Sequence, residues 1–258
     1  MQIHSTAVVA ETARVGAGTT VGPFVVIEDD VEIGRDNRLL AHCVIKRGVR
    51  IGDGNTIHEH AVIGGLPQDL GFTERPSFVR IGDRNTLREY VTVHRATREG
   101  EATTIANDTY LMATAHVAHD CRLESRVIMA NGATLAGFAQ VGERAFLSGG
   151  VMVHQFARVG RCAMIGGNSK ITQDCLPFFI TDGVPAHARG INLVGLRRAG
   201  YGAEDIRALK QAYRLLLRSG TPLESALASL AQSDVAAVRE LHAFLLDSRR
   251  GFHHAEGT

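Results

Sequence analysis

Aliphatic side chains recur at every sixth position through most of this chain. The run goes from Ile3, Val9, Val15 and Val21 to Ile63, returns at Ile81, Leu87 and Val93, and then continues unbroken from Ile105 to Ile171. A period of six fits neither a helix, at 3.6, nor a simple alternating strand, at 2.0. It fits a solenoid that turns a corner every six residues and stacks like on like. The position two before each aliphatic is small or β-branched, as at Ala7, Val25, Cys43, Ala61, Ala115 and Ala163. A narrow prism needs that pairing of one bulky and one small inward side chain per side. Three sides give a coil of eighteen residues. Glycines follow the aliphatic at 16, 22, 34, 52, 64, 82, 142 and 160, which predicts tight corners at positive φ.

The phase survives two interruptions. Gly65 to Arg80 carries Pro67, Gly71 and Pro76, with Asp69 and Arg75 in phase. Arg95 to Thr104 is polar, with Glu99 in phase. The in-phase spacing across each, 18 from Ile63 to Ile81 and 12 from Val93 to Ile105, is a multiple of six, so the coils should resume in register around loops that leave the prism, where function tends to sit. The repeat fails after Pro177, and Gly183 to Gly195 reads as an irregular connector. Three helices are expected beyond it. Ala203 to Ser219 has Ile206, Leu209, Tyr213, Leu216 and Leu217 on one face and ends at Gly220. Thr221 caps the second, with Pro222 at its first position. Ser233 or Asp234 caps a third, and the tail from Gly251 reads as frayed. The chain therefore divides into residues 1–190, a β solenoid, and residues 191–258, a helical domain.

Composition narrows the partners. A net charge of +1 over 258 residues, with no basic run, gives no footing for nucleic acid or anionic membrane. No apolar stretch reaches membrane-spanning length. The repeat begins at the N-terminus, so no signal peptide is expected. Cys43, Cys121 and Cys175 occupy the small inward position, and with Cys162 they read as buried thiols suited to a reducing cytoplasm. No CxxC pair offers a cysteine zinc site.

Among twelve histidines, His4, His42, His58, His60, His242, His253 and His254 carry no second feature and read as surface residues. The informative cluster is His116-Val117-Ala118-His119-Asp120. Val117 points into the prism, so its neighbours lie near the outer surface. The eighteen-residue period stacks Gly137, Gln155 and Gln173 over His119, and Gly149 and Gly167 over Asn131. An imidazole beneath a glycine backbone has two readings. One is an acid–base pair with an oxyanion donor. The other is a corner histidine making one structural hydrogen bond.

The repeat resembles the hexapeptide-repeat family, which implies a left-handed parallel β-helix where the ordinary crossover rule would favour the right hand. The strings Gln68-Asp69-Leu70, Thr92-Val93-His94-Arg95, His116 to Cys121, Leu135-Ala136-Gly137, Val153-His154-Gln155-Phe156, Gly190-Ile191-Asn192 and Gly195-Leu196-Arg197-Arg198 narrow the resemblance. Their order, with the helical tail, is similar to the acyl-[acyl-carrier-protein]–UDP-N-acetylglucosamine O-acyltransferases of lipid A synthesis, over nearly the whole chain. The resemblance implies that His119 is the general base, Asp120 its support and Gly137 the oxyanion donor. It implies acceptor contacts at Asp69, His116, His154 and Gln155, and nucleotide contacts at Asn192 and Arg198 from a neighbouring subunit. Gly167 is implied to set acyl length and to leave room for a longer chain. A homotrimer with sites between subunits, an acidic acyl carrier protein docking on basic side chains between Lys46 and Arg126, and a reaction without cofactor or metal are also implied.

Four positions depart from the family pattern. The loop lysine is Gly71, the histidine after the oxyanion glycine is Phe138, an acid after Asn192 is Val194, and the second arginine of a pair is Ala199. Each lost charge-assisted contact is worth on the order of 1.5–3 kcal/mol. Either Arg75, Arg197 and Arg198 replace them, or the chain acylates a different amino sugar or a non-UDP acceptor. A zinc enzyme like the γ-class carbonic anhydrases, with ligands among His94, His116, His119 and His154, and a non-catalytic assembly subunit are the remaining alternatives.

Overall fold

A computed structural model describes residues 2–256. Among these residues, strands mostly two residues long build three sheets of eleven, nine and eight strands. Along each sheet, coil stacks on coil in parallel register, as in Gln2↔Thr20, Val8↔Val26 and Arg14↔Glu32. The two loops keep that register. Ile51 pairs with Ile81, and Ile81 with Ile105, so each interruption adds whole hexads. From Val21 onward the in-phase aliphatics are buried. Ile3 remains 40% exposed, because no coil lies beneath the first. Inside the prism, Asn37, Asn55, Asn85 and Thr109 form a buried ladder. Each Asn Oδ1 accepts the backbone N–H of the next member, at 2.8 Å for Asn55, Asn85 and Thr109. That polar ladder satisfies groups that burial would otherwise strand.

The corners correct one expectation. Positive φ falls on the third residue after the aliphatic, and most of those residues are not glycine: Phe24, Asp36, His60, Asp120 and Phe138 all lie between +56° and +63°. Most such N–H groups donate to a carbonyl of the coil below, as Asp36 does to that of Ala17 at 3.0 Å and Phe138 to that of His119 at 3.0 Å. Repeated stacking bonds hold a conformation that an isolated L-residue would avoid. Of the glycines right after the aliphatic, Gly64 alone has positive φ among the described residues. The others allow close stacking instead. A Cβ at Gly142, for example, would lie 2.6 Å from Arg161 N.

The solenoid is closed by an antiparallel hairpin, Phe179–Gly183 with Ala186–Ile191, where the sequence read as irregular. Four helices follow: α1 Leu193–Arg198, α2 Ala203–Leu217, α3 Leu223–Ala231 and α4 Ala236–Leu246. The second predicted helix starts one residue later than read, with Pro222 rather than Thr221 at its N-cap. Val235 takes the N-cap of α4, its N–H bonded to Ser233 Oγ. A second buried core, including Phe178, Phe179, Leu196, Leu209 and Leu241, joins the helices to the last coils. Arg158 fastens α4. Its guanidinium donates to Asp174, Asp247 and the Phe244 carbonyl and lies 4.1 Å from the Phe244 ring centre. The tail is packed rather than frayed. Asp174 N–H donates to Gly251, His253 N–H to Asp174, and Ala188 N–H to His254. Phe252, His253 and Ala255 are buried, so His253 is no surface residue. The architecture is a left-handed parallel β-helix of hexapeptide repeats with C-terminal α-helices.

Candidate active site

His119 sits two residues past the inward Val117, on the corner between the second and third sheets. Its side chain keeps 11% exposure, and that of Asp120 8%. The two are 2.9 Å apart, Nδ1 to Oδ2. A carboxylate can only accept, so Nδ1 carries the proton and Nε2 presents its lone pair. Asp120 Oδ2 also accepts from Thr97 N–H at 3.1 Å and from the Thr97 hydroxyl at 2.8 Å. One coil above, Gly137 lies against the imidazole. A Cβ there would come within 2.6 Å of His119 Nε2 and closer still to Cε1. Among the described residues, no acceptor in the chain takes the Gly137 N–H. At another corner the equivalent N–H is satisfied by the next coil, as Arg35 N–H is by Asp53 Oδ1 and Asp53 N–H by Asp83 Oδ1. A buried glycine with a free donor beside an oriented imidazole can polarise an oxygen while the base takes a proton.

Phe138 meets His119 edge-on, ring centres 5.3 Å apart. It stacks on Phe156 at 4.7 Å, and the Arg98 guanidinium lies 5.7 Å from its centre. Phe138, Phe156 and Arg98 line a groove of about 470 Å³ with Asp120, Arg122, Arg158, Arg249 and Arg250. Sequence reading missed Thr97, Phe156 and Arg158 as neighbours of this site. Thr97 belongs to an extruded loop, where the eighteen-residue register says nothing about who meets whom.

Two more histidines lie near His119. His116 Nδ1 lies 2.7 Å from Thr92 Oγ1, and its ring meets that of His94 edge-on at 4.9 Å. Burial pushes His94 down to about 4, helped by the nearby His116 and His119. Burial, then His119, lowers His116 as well. The sign follows from linkage. An unfolded His94 near 6.5 binds protons that the folded one refuses, so its contribution is present above 6.5 and lost as pH falls toward 4. The melting temperature should therefore drop across that window, and His94→Gln should flatten the slope in calorimetry; an unchanged slope would assign the acid loss to other groups.

The remaining expected site residues are dispersed within one chain. His154 and Gln155 are exposed. His154 Nδ1 lies 3.4 Å from Arg250 Nη2. Asp69 is exposed on the first loop, its Oδ1 accepting from Gly71 N–H at 2.8 Å. Gly167 lies over Gly149, with its Cβ site 3.6 Å from the Gly149 carbonyl oxygen. Asn192 is buried. Its amide caps α1 through Gly195 N–H and donates to the Cys162 carbonyl, both at 2.9 Å, so its polar atoms already have partners inside the chain. Arg198 is exposed at the end of α1. None of Asp69, Gly167, Asn192 and Arg198 bonds to His119 or Asp120. The His and carboxylate groups that converge among the described residues are His58, Glu59 and Glu89, outside the set weighed for zinc, and Arg88 donates to both oxygens of Glu89.

Comparison with known proteins finds relatives over most of the chain. The family model described as "Udp N-acetylglucosamine O-acyltransferase; Domain 2" matches residues 174–253, and the bacterial transferase hexapeptide model matches residues 30–65. An acyl-[acyl-carrier-protein]–UDP-N-acetylglucosamine O-acyltransferase of Thermodesulfovibrio yellowstonii is 41% identical over 97% of this chain and 98% of its own. One from Synechocystis is 47% identical over 81% of this chain and 69% of its own. The crystal structure of a UDP-N-acetylglucosamine acyltransferase from Bacteroides fragilis superposes with a TM-score of 0.93 at 37% identity, covering 96% of this chain and 98% of that one. The chain belongs to the acyl-[acyl-carrier-protein]–UDP-N-acetylglucosamine O-acyltransferase family.

Proposed function

We propose that this protein transfers a (3-hydroxy)acyl chain from acyl carrier protein to the 3-hydroxyl of UDP-N-acetylglucosamine, the first step of lipid A biosynthesis. His119 Nε2 takes the hydroxyl proton as the sugar oxygen attacks the thioester carbonyl. Negative charge gathers on the carbonyl oxygen, where the Gly137 N–H can meet it. Collapse breaks the C–S bond, and the leaving thiolate takes the proton back from the imidazolium. Asp120 stabilises that imidazolium and fixes its tautomer. The observation that carries the reading is the contact between the His119 ring and the Gly137 backbone.

The groove beside His119 favours an acidic donor. Arg98, Arg122, Arg249 and Arg250 line it and form no ion pair among the described residues, while most basic residues from Lys46 to Arg95 are paired with acids. Asp69, His116, His154, Gln155, Gly167, Asn192 and Arg198 are proposed to bind substrate across a subunit boundary. Outward side chains support a homotrimer. Tyr110, Ile128, Phe146 and Met164 run along the first face and Val8, Val26, Val44 and Val62 along the second, whereas the third shows Arg14, Glu32, Arg80 and Arg122. An apolar stretch on the first face beyond its polar Arg38, Thr56 and Thr86, another on the second before its Thr92 and His116, and a charged third face suit three-fold packing. On this reading residues 1–190 perform the transfer and 191–258 wall the groove. Among the described residues no helix is long and apolar enough to cross a membrane, and four free buried thiols fit a cytoplasmic location.

A substrate panel tests the proposal. Hydroxyacyl carrier proteins of several lengths are combined with UDP-N-acetylglucosamine, its 3-amino analogue and non-nucleotide sugars. The expected result is O-acylation of UDP-N-acetylglucosamine with preference for a long chain. Transfer confined to non-nucleotide acceptors would replace this reading.

A further inference from the structure

The loop from Arg95 to Thr104 does more than interrupt a coil. Most corner residues at positive φ send their N–H to a carbonyl of the coil below, as Phe138 and Phe156 do in the same column. Beneath Asp120 the coil has been extruded as this loop. Its N–H goes instead to the Thr103 hydroxyl at 2.8 Å. The other end of the loop delivers Thr97, whose N–H and hydroxyl both reach the oxygen of Asp120 that bonds His119. The loop is itself anchored. Arg95 N–H donates to Gly65 at 2.9 Å, Gly100 N–H to Pro76 at 2.9 Å and Phe78 N–H to Glu101 at 2.9 Å. The Arg95 guanidinium pairs with Glu74 and lies 5.7 Å from the Phe72 ring centre. The first loop thus braces the second.

We propose that Thr97 and Thr103 are positioning residues for acyl transfer: they clamp the side chain and the backbone of Asp120, which in turn holds His119 in its base form. The inference rests on His119 being the base. Thr97 touches neither the imidazole nor the reacting atoms; it acts through the carboxylate. A hydroxyl donor on Oδ2 competes for no lone pair of the imidazole, and it keeps the carboxylate aimed at Nδ1. Losing one hydrogen bond to a charged acceptor corresponds to about tenfold in rate.

The experiment is a double-mutant cycle on the full-length enzyme. Thr97→Val removes the hydroxyl and keeps shape and backbone N–H. It should lower kcat about tenfold with KM for the sugar unchanged. Thr97→Ser should restore most of the rate. In an Asp120→Ala background, Thr97→Val should have no further effect, because its route to His119 is gone. A merely structural threonine would instead lower the melting temperature and act equally in both backgrounds. Wild-type kcat in Thr97→Val, or an undiminished effect without Asp120, overturns the proposal. If Thr97→Val lowers the melting temperature, Thr97→Ser still decides: a slow but stable serine variant counts against a hydroxyl-mediated role. His119→Ala run in parallel separates the two readings. A dead His119→Ala beside a fully active Thr97→Val removes the clamp alone, and an active His119→Ala removes the base on which the clamp depends.

Discussion

His119→Ala should lower kcat by about a thousandfold or more, leaving melting temperature and oligomeric state near those of the parent. General base catalysis supplies about 10²–10⁴ in rate, and in the proposed mechanism the same ring also reprotonates the leaving thiolate. No other group is poised to substitute. His116 bonds Thr92 and His94 has been driven far toward the neutral form by burial, and neither imidazole is bonded to a carboxylate. The fold should tolerate the change. What the stack uses from residue 119 is its backbone carbonyl, which accepts from Phe138 N–H, and alanine keeps that. The ring lies at the outer corner and not among the inward aliphatics, so its loss opens a surface notch rather than a core cavity. Turnover measured with acyl carrier protein, alongside circular dichroism melts, decides the matter. A His119→Ala enzyme within tenfold of the parent would return this residue to the reading of a corner histidine with one structural bond.

Much of this architecture is legible because stacking enforces it. A strict six-residue period leaves few alternatives for the inward side chains, and the register carries across both loops because each adds whole hexads. The same arithmetic places Gly137 over His119, which is why the core of the site can be read without coordinates. The failures share a cause. Positive φ at Asp120 or Phe138 is held by hydrogen bonds between coils, so residue type does not reveal it; glycine content pointed to the wrong position. Thr97 and Thr103 lie where the chain leaves the repeat, and register is silent there. The tail reads as frayed because Phe252 and His253 have no periodic partners in sequence. Their partners, Asp174 and Ala186, lie on the end of the solenoid. The motif around Asn192 does not disclose its place within the chain, where its amide caps a helix and binds a carbonyl.

The four departures from the family pattern can be weighed against that geometry. Phe138 replaces a polar neighbour of the base with an apolar wall, stacked on Phe156 and covered by Arg98. That wall desolvates one side of His119 and strengthens the Asp120 bond. Gly71 removes a cation from the exposed first loop, and its N–H instead closes a turn on Asp69. Neither change removes His119, Asp120 or Gly137. Gly71 bears on how an acceptor would be held, and its effect is expected in KM, whereas Phe138 touches the His119 ring and its effect is expected in kcat.

Gly137→Ala should be nearly as damaging as removing His119, for a different reason. Gly137 does not occupy the positive-φ region, so alanine meets no backbone penalty. Its methyl would instead occupy the space of the imidazole, 2.6 Å from Nε2. The ring must then swing off Asp120 or the two coils must part. Either movement takes the His119 ring from its place between the Asp120 carboxylate and the Gly137 backbone, the two groups the proposed mechanism needs beside it. A displacement of about 1 Å at reacting groups costs about 10² in rate, and a mispositioned donor costs about 10²–10³. We expect kcat to fall by about 10²–10³ while the melting temperature shifts little, because an exposed-side ring can yield where packed backbone cannot. Gly142→Ala supplies the contrast. Its methyl would meet the backbone of Arg161, at 2.6 Å from N, away from the site, so it should lower stability and spare kcat in the folded fraction. Equal kcat in Gly137→Ala and the parent would mean that the imidazole need not rest against residue 137 for transfer to occur.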